Sequence, residues 1–486
     1  MIDLSIRQQG LERAVSRARE RNILVPTFEQ MRNPAAIPEQ VVERLESVGL
    51  WDLDPVNLFR IGWHNEPVVK GGGFGPVNIL EFPQELTGVE ARIVALVGKW
   101  FPTGAHKVGA AFGCLVPRLV TGQFDPTTQK SAWPSTGNYC RGGAYDAHLL
   151  ACESIAILPE GMSAERFAWL EGVAGEVIRT PGSESNVKEI FDKCAELRAS
   201  GEDIVIFNQF DEFGNYLWHY TVTGPAMLEV FEALAGEHSR LAGAVYSTGS
   251  AGTIASADFL KLHHPGVKVA AAEALQCPTL LWNGYGSHRI EGIGDKHVPW
   301  IHNLRTTDLV TGIDDAGPMA LIRLFNEPAG VDYLLRQGVP ERLVSRLPEL
   351  GISSAANLLA SIKLARWYEL RSDDVVLTIA TDSMDMYMSR LVEGREVLGQ
   401  LGGTEAAVIH NRWLLGESTA NVQELGHWDR RRIHNLKYFT WVEQQGKEVA
   451  ELDRQWHDPG YWTGIQSMAG PIDQLIRQFN EKVGET

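Results

Sequence analysis

Between residues 91 and 274 the chain keeps switching between two hydrophobic periods. Apolar runs at 91–97, 131–135, 154–158, 176–180, 204–208, 243–247 and 268–274 have the length of buried strands. The segments at 108–116, 139–151, 164–174, 186–199, 221–235 and 253–263 carry helical patterns. Strand–helix alternation of this length implies an α/β fold with mainly parallel sheet and helices on both faces. Right-handed crossovers then collect the strand C-terminal ends, and the turns that follow them, along one edge. A helix over 354–367, a strand over 375–381 and a helix opening at Asp382-Ser383-Met384-Asp385 continue the rhythm, which stops near residue 400.

Composition removes several function classes. At 486 residues, with 44% hydrophobic and 22% charged residues, the chain predicts two or three globular domains. A formal charge of −17 argues against a nucleic-acid surface, and the one basic cluster, Arg430-Arg431-Arg432, follows Asp429 and reads as a solvated or subunit-facing helix. Five cysteines without a Cys-x-x-Cys pair fit a reducing cytoplasm. Residues 1–23 form a charged amphipathic pattern, expected to be neither a secretory signal nor a membrane span. The glycine run Lys70 to Pro76 lacks the Lys-Ser/Thr pair and helix of a phosphate loop and reads as a flexible turn or lid.

Three small-residue turns carry candidate chemistry. Lys107 closes Phe101-Pro102-Thr103-Gly104-Ala105-His106-Lys107 at a helix start, where burial and the positive helix end favour a neutral amine able to form a Schiff base. Ser135-Thr136-Gly137-Asn138 can cradle a carboxylate. Gly249-Ser250-Ala251-Gly252-Thr253 offers amides and hydroxyls for a phosphate monoester. Ala251 takes a position that suits it only at negative φ.

A lysine, a carboxylate cradle and a phosphate cup in this order resemble the fold-type-II pyridoxal-phosphate enzymes, the tryptophan synthase β superfamily, closest to cysteine synthase and cystathionine β-synthase. Gly104-Ala105-His106-Lys107 is nearer the tryptophan synthase β pattern. Asn208-Gln209-Phe210-Asp211, Ser287 to Gly294 and Gly351-Ile352-Ser353-Ser354-Ala355-Ala356-Asn357 resemble further cysteine synthase segments. The family's usual asparagine is Phe101 here, and the arginine common two places past the lysine is Gly109.

The resemblance implies pyridoxal 5'-phosphate as cofactor, Lys107 as Schiff-base and catalytic lysine, and Gly249, Ser250, Ala251, Gly252 and Thr253 around the phosphate. It implies Asn138 at the cofactor 3'-oxygen, Ser353 opposite the pyridine nitrogen, and Ser135, Thr136, Gly137 and Gln209 on the substrate α-carboxylate. His106 is either a phosphate contact or a helix-terminal polar residue. His297 and His302 read as ordinary polar or interface histidines, and no metal is expected.

The same resemblance divides the chain into an N-terminal extension (1–75), a large cofactor domain (76–111 and 216–400), a smaller substrate-side domain (112–215) and a helical C-terminal extension (401–486). It implies β-replacement or β-elimination on an amino acid through an aminoacrylate, like cysteine synthase. The alternative is a serine/threonine-dehydratase-like ammonia-lyase, with a tryptophan-synthase-β-like enzyme or a non-catalytic subunit behind it. The expected partners are a small amino-acid substrate and a second copy in a homodimer, with no nucleic acid or membrane.

Overall fold

The computed structural model describes residues 2–182, 187–294 and 296–484. Met1, Glu485 and Thr486 of the two extensions, and Asn186 at the start of one expected helix, lie outside the described residues. The strands are β1 (Ile79–Phe82), β2 (Arg92–Val97), β3 (Lys130–Pro134), β4 (Glu153–Pro159), β5 (Glu176–Thr180), β6 (Ile204–Ile206), β7 (Arg240–Ser247), β8 (Lys268–Ala274), β9 (Leu309–Ile313), β10 (Asp374–Ala380) and β11 (Val422–Glu424).

They form two sheets. The larger has the order β1-β2-β10-β7-β8-β9-β11 and the smaller β5-β4-β3-β6. All pairings in the smaller sheet are parallel. In the larger sheet only the edge strands β1 and β11 run antiparallel. The interior strand β10 is buried along its whole length, which is why Asp-Val-Val-Leu-Thr-Ile-Ala reads as a nearly continuous apolar run. Its one hydroxyl is satisfied, Thr378 Oγ1 donating to the Val245 carbonyl at 2.8 Å.

Small residues let the buried helices approach. Helix Lys107–Val120 passes so close to helix Phe213–Trp218 that a Cβ on Gly109 would stand 2.0 Å from the Trp218 indole, and one on Gly214 would stand 2.1 Å from the Gly113 carbonyl oxygen. The departure at Gly109 thus has a packing reason: Trp218 fills the space that an arginine would need.

Several boundaries differ from the sequence reading. Strand β9 and helix Ala316–Asn326 were not anticipated, since Leu309–Ile313 is short and holds Gly312. Asp382 does not open a helix: it lies two residues past the end of β10, and a 3₁₀ turn, Met384–Met386, precedes helix Met388–Leu398. The helix expected over 221–235 begins at Gly224, after a wider π turn over His219–Thr223 that continues from Phe213–Trp218.

The chain beyond residue 400 contributes strand β11 as well as helices. The two ends also meet each other. Asp473 in helix Ala469–Gly484 accepts from the Phe28 and Glu29 amides at 2.7 and 3.2 Å, capping helix Phe28–Arg32.

Candidate active site

One cavity lies between the two sheets at the strand C-terminal ends. His106, Lys107, Ser135, Thr136, Asn138, Gln209, Gly249, Ser250, Ala251 and Thr253 line it together with Gly292 and Thr381. Each group comes from a turn after a strand: β2 delivers Lys107, β3 the Ser135–Asn138 turn, β6 Gln209, β7 the Gly249–Thr253 turn and β10 Thr381. Gly137 and Gly252 complete the backbone of their turns, and Gly137 takes φ +156°, with Arg166 where a Cβ would go.

Lys107 sits between the two anion cradles. Its Nζ donates to Ser250 Oγ at 2.9 Å and to Gln209 Oε1 at 3.4 Å. Burial pulls its ammonium down from 10.5 to about 8, so about a tenth of the amine is neutral at pH 7.

The hydroxyls at the two ends are both oriented by the protein. Ser250 Oγ also accepts from Asn215 Nδ2 at 3.1 Å, and Ser135 Oγ accepts from the Gly137 amide at 3.1 Å and from Gln209 Nε2 at 3.3 Å. A hydroxyl that accepts two hydrogen bonds has used both lone pairs, so each serine keeps its proton to donate to a ligand. Asn138 Nδ2 donates to Asp382 Oδ2 at 2.7 Å and has a second N–H left.

His106 is fully buried, stacked 5.7 Å from Trp63, with Nε2 3.3 Å from Thr381 Oγ1 and, among the described residues, no hydrogen-bond partner at Nδ1. Burial, then the neighbouring Lys107 charge, hold it well below 6.5, so it is neutral at pH 7. Ser353 opens helix Ile352–Trp367 behind the cavity-lining Gly292: a Cβ on that glycine would lie 3.8 Å from Ser353 Oγ. His302 bonds Thr307 Oγ1 at 2.9 Å, and His297 packs its ring 5.6 Å from Phe191.

One expectation fails. Ala251 adopts φ +59°, not a negative value. The turn needs a left-handed residue to swing successive amides toward one point, and the alanine accepts the strain, of order 1 kcal/mol.

Four supporting residues were not anticipated. Asn215 orients Ser250. Thr381 bonds His106. Arg166 and Asp382 form a buried pair behind the cradle. Thr381 and Asp382 could have been found from their place at the end of a buried strand, whereas Asn215 and Arg166 sit within helical patterns that give no such signal.

A desolvated lysine amine between two small-residue turns is the arrangement that a phosphorylated aldehyde cofactor and an amino acid would require. The lining fits that group: among the described residues it holds no carboxylate, so a phosphate meets donors without repulsion.

The chain belongs to the pyridoxal-phosphate dependent enzyme family, whose model matches residues 80–327. It is a pyridoxal-phosphate-dependent enzyme. A cysteine synthase of Staphylococcus aureus (strain Mu50 / ATCC 700699) is 27% identical over 259 residues, 53% of this chain and 74% of that protein. The cystathionine beta-synthase of Saccharomyces cerevisiae is 24% identical over 339 residues, 68% and 63% of the two chains. The O-acetylserine dependent cystathionine beta-synthase of Helicobacter pylori shares the fold, with a TM-score of 0.53, 24% identity, and coverage of 64% of this chain and 94% of that one.

Proposed function

We propose that this enzyme catalyses β-replacement on an O-activated serine or a related amino acid, in the manner of a cysteine synthase. The observation that carries the reading is the placement of Lys107 Nζ within hydrogen-bonding reach of both cradles, Ser250 on one side and Gln209 on the other. Bound pyridoxal phosphate supplies an electron sink that acidifies the substrate Cα proton.

The Gly249–Thr253 turn would hold the phosphate with backbone amides and the Ser250 hydroxyl. Ser135, Thr136, Gly137 and Gln209 grip the α-carboxylate, fixing the Cα–H bond toward Lys107. Asn138 would offer its second N–H to the cofactor's 3'-oxygen, and neutral His106, which lines the same cavity, would be available to the phosphate. The freed Lys107 amine removes the Cα proton. Ser353 would be the group opposite the pyridine nitrogen, and a serine hydroxyl would be too weak an acid to protonate it, which would favour loss of the β-substituent.

Lys107→Ala tests the assignment: turnover falls by at least a thousandfold, and unchanged activity would sink the reading. We further propose a homodimer located in the cytoplasm. Exposed Trp282, Tyr285, Trp428 and Phe439 support a buried subunit contact, and five buried cysteines outside any disulfide among the described residues support a reducing compartment. Native mass measurement returning only monomer would remove the dimer.

A further inference from the structure

Behind the Ser135–Asn138 turn lies a polar cluster that the chemistry above does not use. The Arg166 side chain, on helix Ala164–Glu171 beside the smaller sheet, is fully buried. Its Nη1 donates to the Thr136 carbonyl at 3.0 Å and pairs with Glu291 Oε2 at 2.9 Å. Its Nη2 donates to the Tyr387 hydroxyl at 2.5 Å and stands 3.7 Å from Asp382 Oδ2.

Three of these partners follow strands of the larger sheet: Glu291 lies beyond β8, and Asp382 and Tyr387 beyond β10. The links continue on that side. Tyr387 Oη donates to Asp382 Oδ2 at 2.6 Å, and Arg390 Nε donates to Glu291 Oε1 at 2.7 Å. Asp382 Oδ2 also accepts from Asn138, which lines the cavity. One guanidinium thus joins the back of the carboxylate cradle to the sheet that carries the phosphate cup.

We propose that Arg166 is a positioning residue for substrate recognition: with Glu291 and Asp382 it fixes the distance and tilt of the carboxylate cradle relative to Lys107. The inference rests on the reading of Ser135–Asn138 as that cradle. Two features make the coupling tight. The carbonyl that Arg166 holds belongs to the Thr136–Gly137 peptide, whose N–H donates to Ser135 Oγ, so the guanidinium sets the orientation of a donor that faces substrate. Gly137 leaves no slack, since its Cβ position is 2.4 Å from Arg166 Nη1.

A latch of this kind acts first on how amino acid binds, because the contacts of Arg166 run to the Thr136 carbonyl of the cradle and to Glu291, Tyr387 and Asp382 behind it.

The test uses the full chain loaded with pyridoxal phosphate and titrated with glycine, an amino acid without a β leaving group, reading the cofactor's visible absorption. Arg166→Met raises the glycine dissociation constant at least thirtyfold, and Glu291→Gln, which keeps shape and loses charge, raises it three- to tenfold. Pyridoxal phosphate affinity changes less than threefold in both. Arg166→Met/Glu291→Gln is no weaker than Arg166→Met alone, because the two side chains act as one unit.

Multiplicative effects in the double variant, or glycine affinity unchanged in Glu291→Gln, would overturn the latch. If Arg166→Met fails to fold, Glu291→Gln carries the test. Absence of any glycine response in the parent chain would contradict the cradle reading itself, and the latch with it.

Discussion

Lys107 is buried beside neutral oxygen acceptors, so carrying its charge weakens the cofactor-free protein. The amine titrates near 8 in the folded chain against 10.5 in the unfolded one, so between those values the unfolded chain binds more protons. Stability of the cofactor-free protein therefore rises as pH climbs from 8 to 10.5, and below 8 the full penalty, about 3 kcal/mol, applies. Lys107→Met in cofactor-free protein should be the more stable form at pH 7 by up to that amount, with the gap closing between pH 8 and 10.5. Urea midpoints across that range check it, and a gap independent of pH would remove the buried-charge explanation. Ala251→Gly relieves a left-handed alanine while loosening the unfolded chain, for a net gain of about 0.5 kcal/mol read from thermal or urea midpoints. A clear loss would show that the turn is not strained. Lys107 was legible in the sequence because its turn has a distinctive composition. The conformation of Ala251 was not, since alanine carries no mark of the φ its surroundings impose.

At the scale of elements, the lysine helix is placed by what its glycines exclude. Gly109 lies against the Trp218 indole, so Gly109→Ala should cost about 3 kcal/mol, and Gly109→Ala/Trp218→Leu should recover part of it. Full additivity of the two substitutions in urea unfolding would mean that the pair does not touch. The strand–helix alternation was readable because buried parallel strands are short, apolar and regularly spaced. Strand β9 leaves little mark because five residues with an internal glycine give too little periodicity, and Asp382 resembles a helix start because aspartate is common there. In the fold it is a buried carboxylate at a strand end, held above its ordinary range by burial against the pull of Arg166. That role depends on partners more than two hundred residues away in the chain, which local pattern cannot reveal.

Over the whole molecule, the segments outside the alternation brace the site. Trp63 from the N-terminal region stacks on His106, Trp441 donates to the Val298 carbonyl at 2.8 Å, and Lys447 pairs with Asp211 at 2.7 Å, two residues from Gln209. Asp473 ties the C-terminal helix to the start of helix Phe28–Arg32, so Asp473→Ala should cost about 1–2 kcal/mol and speed hydrogen exchange at the Phe28 and Glu29 amides. Unaltered exchange there would separate the two ends. The assignment of β-replacement to the joined site meets its most direct test in product analysis, with the holoenzyme given O-acetyl-L-serine and a thiol. The account predicts a thioether amino acid formed in step with acetate, with the cofactor's visible absorption shifting on donor addition and returning when thiol is added. Ammonia and a 2-keto acid accumulating in its place, with no thiol adduct, would contradict it.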